Sequence, residues 1–340
     1  MEAAARAAGL AFALTPTDTI FVATGSLDRD PVWDAGGLQP WGPLEFSPAA
    51  AVLSYGLGVF EGLKARRTAD GRVLMFRIDA HAARFARSAS RLLMAPYPET
   101  GFIAACEAVI RANLAYLPAA GEGAFYLRPM LHADEPRLGL GPCRQFRTTI
   151  YGSPVGAYFG GKGAGLMLKA LDQARVAPGL CGDVKAIGNY AGPIPIVRHW
   201  REQGFDDVLF LDAVERSRLT ETSGSNVFVI LRSGVLVTPP ADDQILGGIT
   251  RDSTLRIARD LLGMEVEERP ITIDEVFADG GEMFLSGTAY SLSSVVSVDH
   301  HGRTVRFASQ AARQALLAPL RAIRKGERDD PFGWTRPVPV

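Results

Sequence analysis

The segment GDVKAIGNYAG (182–192) places one lysine, Lys185, among small and apolar residues, with Asp183 as the one carboxylate close to it in sequence. An amine in apolar surroundings loses its proton more readily than an amine in water, and the neutral amine is a nucleophile. Tyr190, in the same segment, offers a phenol hydroxyl nearby. The segment therefore predicts a reactive lysine, and a lysine on an ordinary surface loop is the alternative.

Lysine is rare in the rest of the chain. Among the 36 lysine and arginine residues, the lysines are Lys64, Lys162, Lys169, Lys185 and Lys325. A GC-rich coding bias replaces lysine by arginine wherever either residue serves. A guanidinium stays charged in proteins, so arginine cannot replace an amine that must lose its proton. Each retained lysine, Lys185 above all, is therefore a candidate for a chemical role.

Composition and charge exclude several classes of protein. The length of 340 residues favours two domains, and 47% hydrophobic with 21% charged residues is globular usage rather than disorder or a collagen-like repeat. A net charge of −1 provides no basic surface for nucleic acid or an anionic membrane. Since no window reaches about 18 uninterrupted apolar residues, and the N-terminus lacks the pattern of a secretion signal, we expect neither a membrane span nor export.

The cysteines and histidines predict no metal site. The cysteines, Cys106, Cys143 and Cys181, are scattered and form no C-x-x-C pair, which disfavours a disulfide framework or a structural zinc. The five histidines form no H-E-x-x-H motif, and His300 and His301 are adjacent, so they would not share one face of a helix. We therefore expect no metal, and a reducing, cytoplasmic location.

The order of strand and helix patterns predicts two domains. In the first half, β-rich runs accompany a helix that is predicted to begin with Asp79 as its N-cap and to end near Leu93. Residues 153–165 contain five glycines and a proline without apolar periodicity, which is typical of an interdomain connection. We expect a small α+β domain at 1–152, this interdomain loop, and a larger domain at 166–340.

Two turns and one arginine are candidates for binding an anion. Gly247-Gly248-Ile249-Thr250 leads into a helix with Thr250 as its predicted N-cap, and the N–H groups at a helix start favour a phosphate. The turn Ser286-Gly287-Thr288-Ala289 has a similar character, and Arg84 lies on the first predicted helix. The ordinary alternatives are a capped helix, a β-turn and an exposed arginine.

Three further residues complete a chemically coherent set. Glu221 precedes a strand that should be buried, so its carboxylate needs a partner such as a protonated ring nitrogen. Tyr126 and Arg128 alternate onto one face of a predicted strand, where the arginine suits a carboxylate. A solvated glutamate and a surface strand are the alternatives. An amine, an acid for a ring nitrogen, two anion-binding turns and two arginines are together the groups that a pyridoxal phosphate enzyme must supply.

The sequence resembles the class IV (fold-type IV) pyridoxal phosphate-dependent aminotransferases and, among them, the branched-chain amino acid aminotransferases. The resemblance covers about residues 45–300 and keeps the family's order. Its segments are SYGLGVFEGLKARR (54–67), FRIDAHAARFARSASRLLM (76–94), FYLRPML (125–131), DEPRLGLG (134–141), SPVGAYF (153–159), GDVKAIGNY (182–190), TETSGSNVF (220–228), ILGGITRDS (245–253) and MFLSGTA (283–289).

The resemblance implies a D-amino acid aminotransferase-like fold, with a small α/β domain and a larger domain around a β-barrel-like core. It also implies pyridoxal 5'-phosphate as cofactor and a homodimer. Lys185 matches the lysine to which the cofactor is covalently bound, Tyr190 the tyrosine at the cofactor phenolate, and Glu221 the acid at the pyridine nitrogen. The positions that match the phosphate-binding residues are Arg84, Ile249, Thr250 and Thr288.

On the substrate side, the resemblance implies ping-pong transfer of an amino group between a branched-chain or related hydrophobic L-amino acid and 2-oxoglutarate. Arg128 matches the residue that receives the side-chain carboxylate of glutamate. The matching positions are an apolar wall of Tyr55, Phe60 and Gly62, the pair Tyr126 and Arg128, the loop residue Tyr158, and the α-carboxylate amides of Thr288 and Ala289.

The chain departs from the family pattern at Gly247, at Gly224-Ser225 and at Tyr290, all close to the expected substrate. One alternative is therefore a specialised class IV aminotransferase of a biosynthetic pathway that acts on a non-standard amino acid. A lyase of the aminodeoxychorismate lyase type, a D-amino acid transaminase and a non-catalytic relative are further alternatives. Retention of Lys185 and Glu221 argues against the last of these.

Overall fold

The structure is a computed structural model that describes residues 10–156 and 165–340. Most described residues lie in strands or helices. The strands are β1 (Thr19–Ser26), β2 (Gly37–Pro40), β3 (Gly58–Phe60), β4 (Leu63–Arg67), β5 (Val73–Phe76), β6 (Ala124–Ala133), β7 (Gln145–Val155), β8 (Leu166–Leu171), β9 (Asp207–Leu211), β10 (Leu219–Thr222), β11 (Asn226–Leu231), β12 (Leu236–Thr238), β13 (Val266–Glu268), β14 (Gly280–Gly287), β15 (Ser291–His300), β16 (Arg303–Arg306) and β17 (Thr335–Pro337).

Helices connect these strands in both halves of the chain. The α-helices are α1 (Ala51–Tyr55), α2 (Ile78–Arg91), α3 (Glu99–Ala112), α4 (Pro193–Glu202), α5 (Ile249–Arg256), α6 (Ile273–Asp279) and α7 (Ala311–Lys325). Shorter helical turns are the 3-10 turns Leu114–Tyr116 and Ile187–Tyr190 and the π-helical turn Ile257–Leu261, which continues α5.

The chain divides into two compact units, and the first takes up two short segments from the second half of the sequence. The first unit is Met1–Gly160, Val184–Gly188 and Ala322–Val340, and the second is Gly161–Asp183 and Asn189–Arg321. The two segments join the first unit through strand pairing: β17 pairs antiparallel with β5, and Ala186 bridges Val59 in β3. A division of the sequence into consecutive domains does not place these two segments in the first unit.

The first unit is built on an antiparallel eight-stranded sheet. Its strand order is β17-β5-β4-β6-β7-β1-β2, and β3 also pairs with β6. Because β3 and β4 both pair with β6, Phe60 lies opposite Met130 and Lys64 lies opposite Tyr126. The helices α2 and α3 pack together through the buried rings of Phe85 and Phe102, whose centres are 5.2 Å apart. The unit is therefore α+β, as predicted.

The second unit contains a closed barrel. Its strand order is β10-β9-β8-β15-β14-β11-β12-β13, and an additional pairing of β10 with β11 closes a ring of six strands. Every residue of β9 and β11 is buried, as expected where a strand is covered on both faces. Phe228 and Phe284 stack inside this unit with ring centres 4.9 Å apart. The predicted β-barrel-like core is confirmed.

Three predicted boundaries differ from the structure. The helix α2 has Arg77 rather than Asp79 at its N-cap, and Asp79 lies in its first turn, where a carboxylate still favours the helix dipole. The helix α5 has Gly248 rather than Thr250 at its N-cap, because tertiary packing fixes its start. The strand β7 continues to Val155, within the predicted interdomain loop, since it pairs with β6 as far as Ala124.

Two further features concern the cysteines and the helices. The three cysteines are free, Cys106 and Cys143 being buried and Cys181 partly buried. Among the residues that the structure describes, no helix is both long enough and apolar enough to cross a membrane.

Candidate functional site

The main chain of Lys185 is held by two hydrogen bonds within the first unit. Its carbonyl accepts a hydrogen bond from the N–H of Phe60 (3.1 Å), and its own N–H donates to the Oγ of Ser88 (3.2 Å). The Lys185 Nζ lies 4.6 Å from the centre of the Phe60 ring, and the side chain is half-buried. The backbone of the lysine is thus fixed by β3 and α2, while its amine lies over an aromatic face.

Arg84 lies in α2 one turn before Ser88, and it forms a buried ion pair with Glu61. The Nε of Arg84 donates to Oε1 of Glu61 (2.6 Å) and its Nη2 to Oε2 (2.9 Å), while His81 Nδ1 lies 2.7 Å from Oε2. Burial alone would raise the pKa of Glu61, but the Arg84 charge and the contacts with His81 hold it well below its usual range. Glu61 is therefore an ionised partner that orients the Arg84 guanidinium.

Arg128 lies against two aromatic rings. Its guanidinium carbon is 4.9 Å from the centre of the Phe60 ring and 5.4 Å from that of Tyr126, and its Nη2 donates to the Tyr126 hydroxyl (3.2 Å). A Cβ on Gly62 would collide with that hydroxyl, so a glycine is needed there. The structure therefore brings together four of the predicted substrate residues: Phe60, Gly62, Tyr126 and Arg128.

The predicted substrate residue Tyr55 is exposed. Tyr55 ends α1 with 42% of its surface exposed, and its hydroxyl donates to the carbonyl of Leu138. Tyr158 lies outside the described residues. The substrate roles of both residues remain predictions.

In the second unit, Glu221 is buried in β10 and oriented by three neighbours. Its Oε1 accepts hydrogen bonds from Asn226 Nδ2 (2.8 Å) and from the N–H of Leu246 (3.1 Å). Its Oε2 pairs with Arg175 Nη2 at 2.5 Å, and both side chains are less than 10% exposed. A buried carboxylate needs such partners, and together they fix its orientation at the start of the β10–β11 hairpin.

The predicted phosphate-binding helix start lies next to these residues. A Cβ on Gly248 would collide with Oδ1 of Asn226, so only glycine allows α5 to begin this close to β11. Ile249 and Thr250 form the first turn of α5 and are buried. Their position is that of a helix N-terminus, where the helix dipole favours an anion.

The second predicted anion-binding turn lies at the same end of the barrel. Asn226 pairs with Ser286 across the β11–β14 ladder, so the turn that follows β14 starts beside the first residue of β11. Thr288 and Ala289 lie in this turn, between β14 and β15, and are half-buried. The second unit thus brings Glu221 together with both predicted anion-binding turns.

Tyr190 ends the 3-10 turn Ile187–Tyr190 and is half-buried. The loop that carries it is held by its neighbours: Asn189 Nδ2 donates to the carbonyl of Cys181 (2.7 Å), and Gly182 packs against the backbone of residues 243–244 so closely that a Cβ would collide. The tyrosine therefore lies on a loop whose position is fixed by its neighbours.

Known proteins resemble this chain over most of its length. The sequence model of the family described as "Amino-transferase class IV" matches residues 58–298. The chain belongs to this family. A branched-chain-amino-acid aminotransferase of Mycobacterium tuberculosis is 41% identical over 315 residues, which cover 89% of this chain and 85% of the relative. The match between this class IV aminotransferase and that relative covers most of both chains.

Solved structures of class IV aminotransferases show the same fold. The branched-chain aminotransferase of Thermoproteus uzoniensis, solved with norvaline, has a TM-score of 0.80 at 28% identity and covers 95% of this chain and 100% of its own. The Escherichia coli branched-chain amino acid aminotransferase has a TM-score of 0.80 at 26% identity, covering 95% and 100%. A third such enzyme, solved with pyridoxamine 5'-phosphate, has a TM-score of 0.78 at 28% identity, covering 95% and 99%. The predicted fold-type IV architecture is confirmed.

In this class IV aminotransferase, two of the departures from the family pattern contact each other. The hydroxyls of Ser225 and Tyr290 are hydrogen-bonded, and the Tyr290 ring also limits the space at Gly287. The residues that depart at 225 and 290 therefore form one local feature, next to Thr288 and Ala289, rather than two unrelated changes.

The partners of two predicted residues, Arg84 and Glu221, were not predicted from the sequence. Glu61 lies between β3 and β4, and a lone carboxylate flanked by the apolar residues Phe60 and Leu63 was a signal that a buried cation must face it. His81, one turn before Arg84 on the helix, gave no such signal. Arg175 lies 46 positions before Glu221, and nothing in its local sequence indicates the ion pair.

Proposed function

We propose that the chain is a pyridoxal phosphate-dependent transaminase that moves an amino group between a branched-chain or related hydrophobic L-amino acid and 2-oxoglutarate. The observation that carries the proposal is the placement of Arg128 against Phe60 and Tyr126 in the unit that also holds Lys185. One cation beside aromatic surface suits both an aliphatic side chain and the carboxylate of glutamate. The names of the relatives in this family support the same substrate class.

The residues present fit the cofactor. A half-buried amine at Lys185, a buried carboxylate at Glu221 and a helix that begins at Gly248 offer, in turn, a covalent attachment point, a partner for a protonated ring nitrogen and a phosphate-binding N-terminus. Arg84 would add a guanidinium for the phosphate. When bound, the cofactor supplies an electron sink for the substrate α-carbon. One of the structural relatives was solved with pyridoxamine 5'-phosphate.

In this proposal the protein's own groups position charges and move one proton. The Glu221 carboxylate holds a proton at the ring nitrogen, and Arg175 and Asn226 keep that carboxylate oriented. The Lys185 Nζ would take the proton from the substrate α-carbon and deliver it to the C4′ carbon of the cofactor, acting first as base and then as acid. A second substrate runs the same steps in reverse, which gives ping-pong kinetics.

The Lys185→Ala variant should have no measurable turnover, because it lacks both the attachment point and the proton carrier. The measurement is amino transfer from leucine to 2-oxoglutarate by the purified protein, supplied with pyridoxal 5'-phosphate. Lys325→Ala is the matched control, since the Lys325 side chain is 45% exposed and pairs with Glu327. Turnover by Lys185→Ala at the rate of the control would overturn the proposed mechanism.

A screen of amino donors tests the substrate class. We expect leucine, isoleucine and valine each to convert the bound cofactor to pyridoxamine phosphate, followed by absorbance, and 2-oxoglutarate to reverse the change. Conversion by glutamate but by none of these three would favour a specialised aminotransferase, a result for which the Ser225–Tyr290 contact beside Thr288 and Ala289 provides a physical cause.

We also propose that the chain forms a homodimer. Several large apolar side chains of the first unit are exposed, among them Leu53 (60%), Tyr55 (42%), Leu138 (92%) and Leu140 (85%), and the Tyr55 hydroxyl donates to the Leu138 carbonyl. Exposed apolar side chains of this size mark interaction surfaces in many proteins. Light scattering coupled to size-exclusion chromatography should give the mass of two chains, and a Leu138→Asp, Leu140→Asp variant should give one. A wild-type chain that elutes as a monomer would contradict the proposal.

A cytoplasmic location is the third part of the proposal. Free cysteines are usual in reducing compartments, and the chain has three. Fractionation of cells that express the untagged chain tests the location, and recovery in an oxidising compartment would contradict it.

A further inference from the structure

One carboxylate of the second unit is contacted by two histidines. Asp172 Oδ1 lies 2.7 Å from the Nε2 of His300, and its Oδ2 lies 2.9 Å from the Nε2 of His301. One ligand atom of each of the three residues lies within 4.8 Å of those of the other two. The two imidazole rings are packed at a centre-to-centre distance of 4.1 Å. Two nitrogens and a carboxylate thus converge on one point.

The barrel topology explains why these residues meet. Asp172 follows the last residue of β8, and β8 runs parallel to β15, which ends at His300. His301 begins the turn to β16 with φ 50°, in the left-handed region. Adjacent residues of an extended strand point to opposite faces, but this turn lets two adjacent histidines reach the same carboxylate. Because the two histidines meet at a turn and not on a helix, helical spacing did not predict this cluster.

The neighbouring charges are already paired. Lys169 pairs with Asp299, and its Nζ lies 4.8 Å from the centre of the Trp200 ring. Arg303, which faces His300 across the β15–β16 hairpin, lies 3.6 Å from Asp274 and 5.0 Å from the Phe277 ring. Each cation is held by another carboxylate, so a positive ion at Asp172 would not replace either of them.

We propose that Asp172, His300 and His301 form a binding site for a divalent transition-metal ion. Metal–ligand bonds of about 2.0–2.2 Å hold neighbouring ligand atoms about 3 Å apart, and the nitrogen–oxygen distances of 2.7 and 2.9 Å are close to that spacing. The site would bind an ion in place of the two hydrogen bonds.

The ligand chemistry selects the class of ion. Imidazole suits Zn²⁺, Ni²⁺ and Cu²⁺, whereas Mg²⁺ and Ca²⁺ prefer all-oxygen sites. Three protein ligands leave at least one position for water, and the side chain of His301 is 67% exposed, so the ion can enter from solvent. The inference is independent of the proposed transaminase activity, because none of the three residues is assigned a part in it.

Isothermal titration of Zn²⁺ into chelator-treated, cofactor-loaded protein tests the site. Two variants remove a ligand and keep the local shape: Asp172→Asn, and His301→Gly, which suits the left-handed backbone. His199→Asn is the control, since His199 is exposed on α4 and contacts Gln203. Loss of an outer-shell partner costs about 10–100-fold in metal affinity, so loss of a ligand should weaken Zn²⁺ binding at least tenfold, and the control should match the wild type.

Cu²⁺ provides a second, spectroscopic readout, and its wild-type part does not depend on the folding of any variant. The electron paramagnetic resonance spectrum of the Cu²⁺-loaded wild type should show coupling to two imidazole nitrogens, and that of His301→Gly to one. Equal Zn²⁺ affinities in the wild type and in both ligand variants would overturn the proposal. So would a loss of binding confined to His199→Asn, or a copper spectrum that His301→Gly leaves unchanged.

Discussion

Two buried glutamates, one in each unit, are each held by a buried arginine, but the members of the two pairs have opposite parts. In the first unit, Arg84 is the proposed phosphate-binding group and Glu61 supports it. In the second unit, Glu221 is the proposed partner of the cofactor ring and Arg175 supports it. A buried ion pair therefore does not by itself show which of its two members binds the ligand.

The two supports also differ in their third members. Glu61 has His81, which can take up a proton, while Glu221 has Asn226, which cannot. Both carboxylates are almost completely buried, at 0% and 5% exposure. A substitution that removes the charge but keeps the size of the side chain can therefore show whether that charge orients another group or itself binds the cofactor.

The largest effect is expected from Glu221→Gln. The neutral amide cannot hold the proton at the ring nitrogen, so kcat should fall about 10²–10⁴-fold, the range for loss of a positioned acid–base group. Steady-state kinetics at saturating cofactor and substrates provide the measurement. A kcat within a factor of three of the wild type would remove the role assigned to Glu221.

Glu61→Gln should instead act on stability and on cofactor affinity. It leaves the Arg84 charge buried without its counter-charge, which typically costs about 3–5 kcal/mol. Because Arg84 also loses its orientation, the dissociation constant of pyridoxal 5'-phosphate should rise, while kcat at saturating cofactor changes little. Urea unfolding and a cofactor titration test both points. If Glu61→Gln lowered kcat as much as Glu221→Gln, the two pairs would not have opposite parts.

A smaller fall in kcat is expected from Arg175→Lys, which changes the arginine that supports Glu221. A lysine keeps the charge but cannot reproduce the planar guanidinium geometry beside Oε2 of Glu221, so we expect kcat to fall about tenfold, equivalent to about 1.4 kcal/mol. Because Arg175 acts through Glu221, adding Arg175→Lys to Glu221→Gln should cost nothing further in kcat. Additive losses in this double-mutant cycle would show that Arg175 acts on the reaction by another route.

Local patterns were sufficient for part of the fold and of the site. The apolar run 227–231 of β11 indicated a buried strand, and the isolated Lys185 and Glu221 indicated groups in need of partners. The partners themselves were not predictable from local sequence. The contacts of Arg175 with Glu221 and of Asp172 with His300 join residues 46 and 128 positions apart, and the folding of the second unit, not any local pattern, brings them together.

The same limit explains the misplaced start of α5. Thr250 has the hydroxyl of a good N-cap, and the local pattern favoured it. In the structure, the space at Gly248 is set by Asn226 of β11, which admits no Cβ there, and the helix begins at Ile249. A contact with a distant strand thus decided between two locally acceptable starts.

The smallest expected effect is on the pH dependence of the free energy of unfolding, and it concerns His81, which contacts Glu61. Burial lowers the pKa of His81, although the Glu61 charge works in the opposite direction. As pH falls below about 6.5, the ordinary value for histidine, the unfolded chain takes up this proton before the folded chain does. His81 therefore makes the free energy of unfolding decrease on acidification, by at most about 1.4 kcal/mol per pH unit for one proton.

His81→Asn copies the third member of the other pair and should remove this part of the pH dependence. Urea unfolding at pH 7.5, 6.5 and 5.5 measures it, with His199→Asn as the exposed control. A residual decrease should remain, because burial and the Arg147 charge lower the pKa of His132 to about 4. If His81→Asn lost stability on acidification as steeply as the wild type, His81 would be protonated in the fold, and its contact with Glu61 would be a second ion pair that Asn226 does not match.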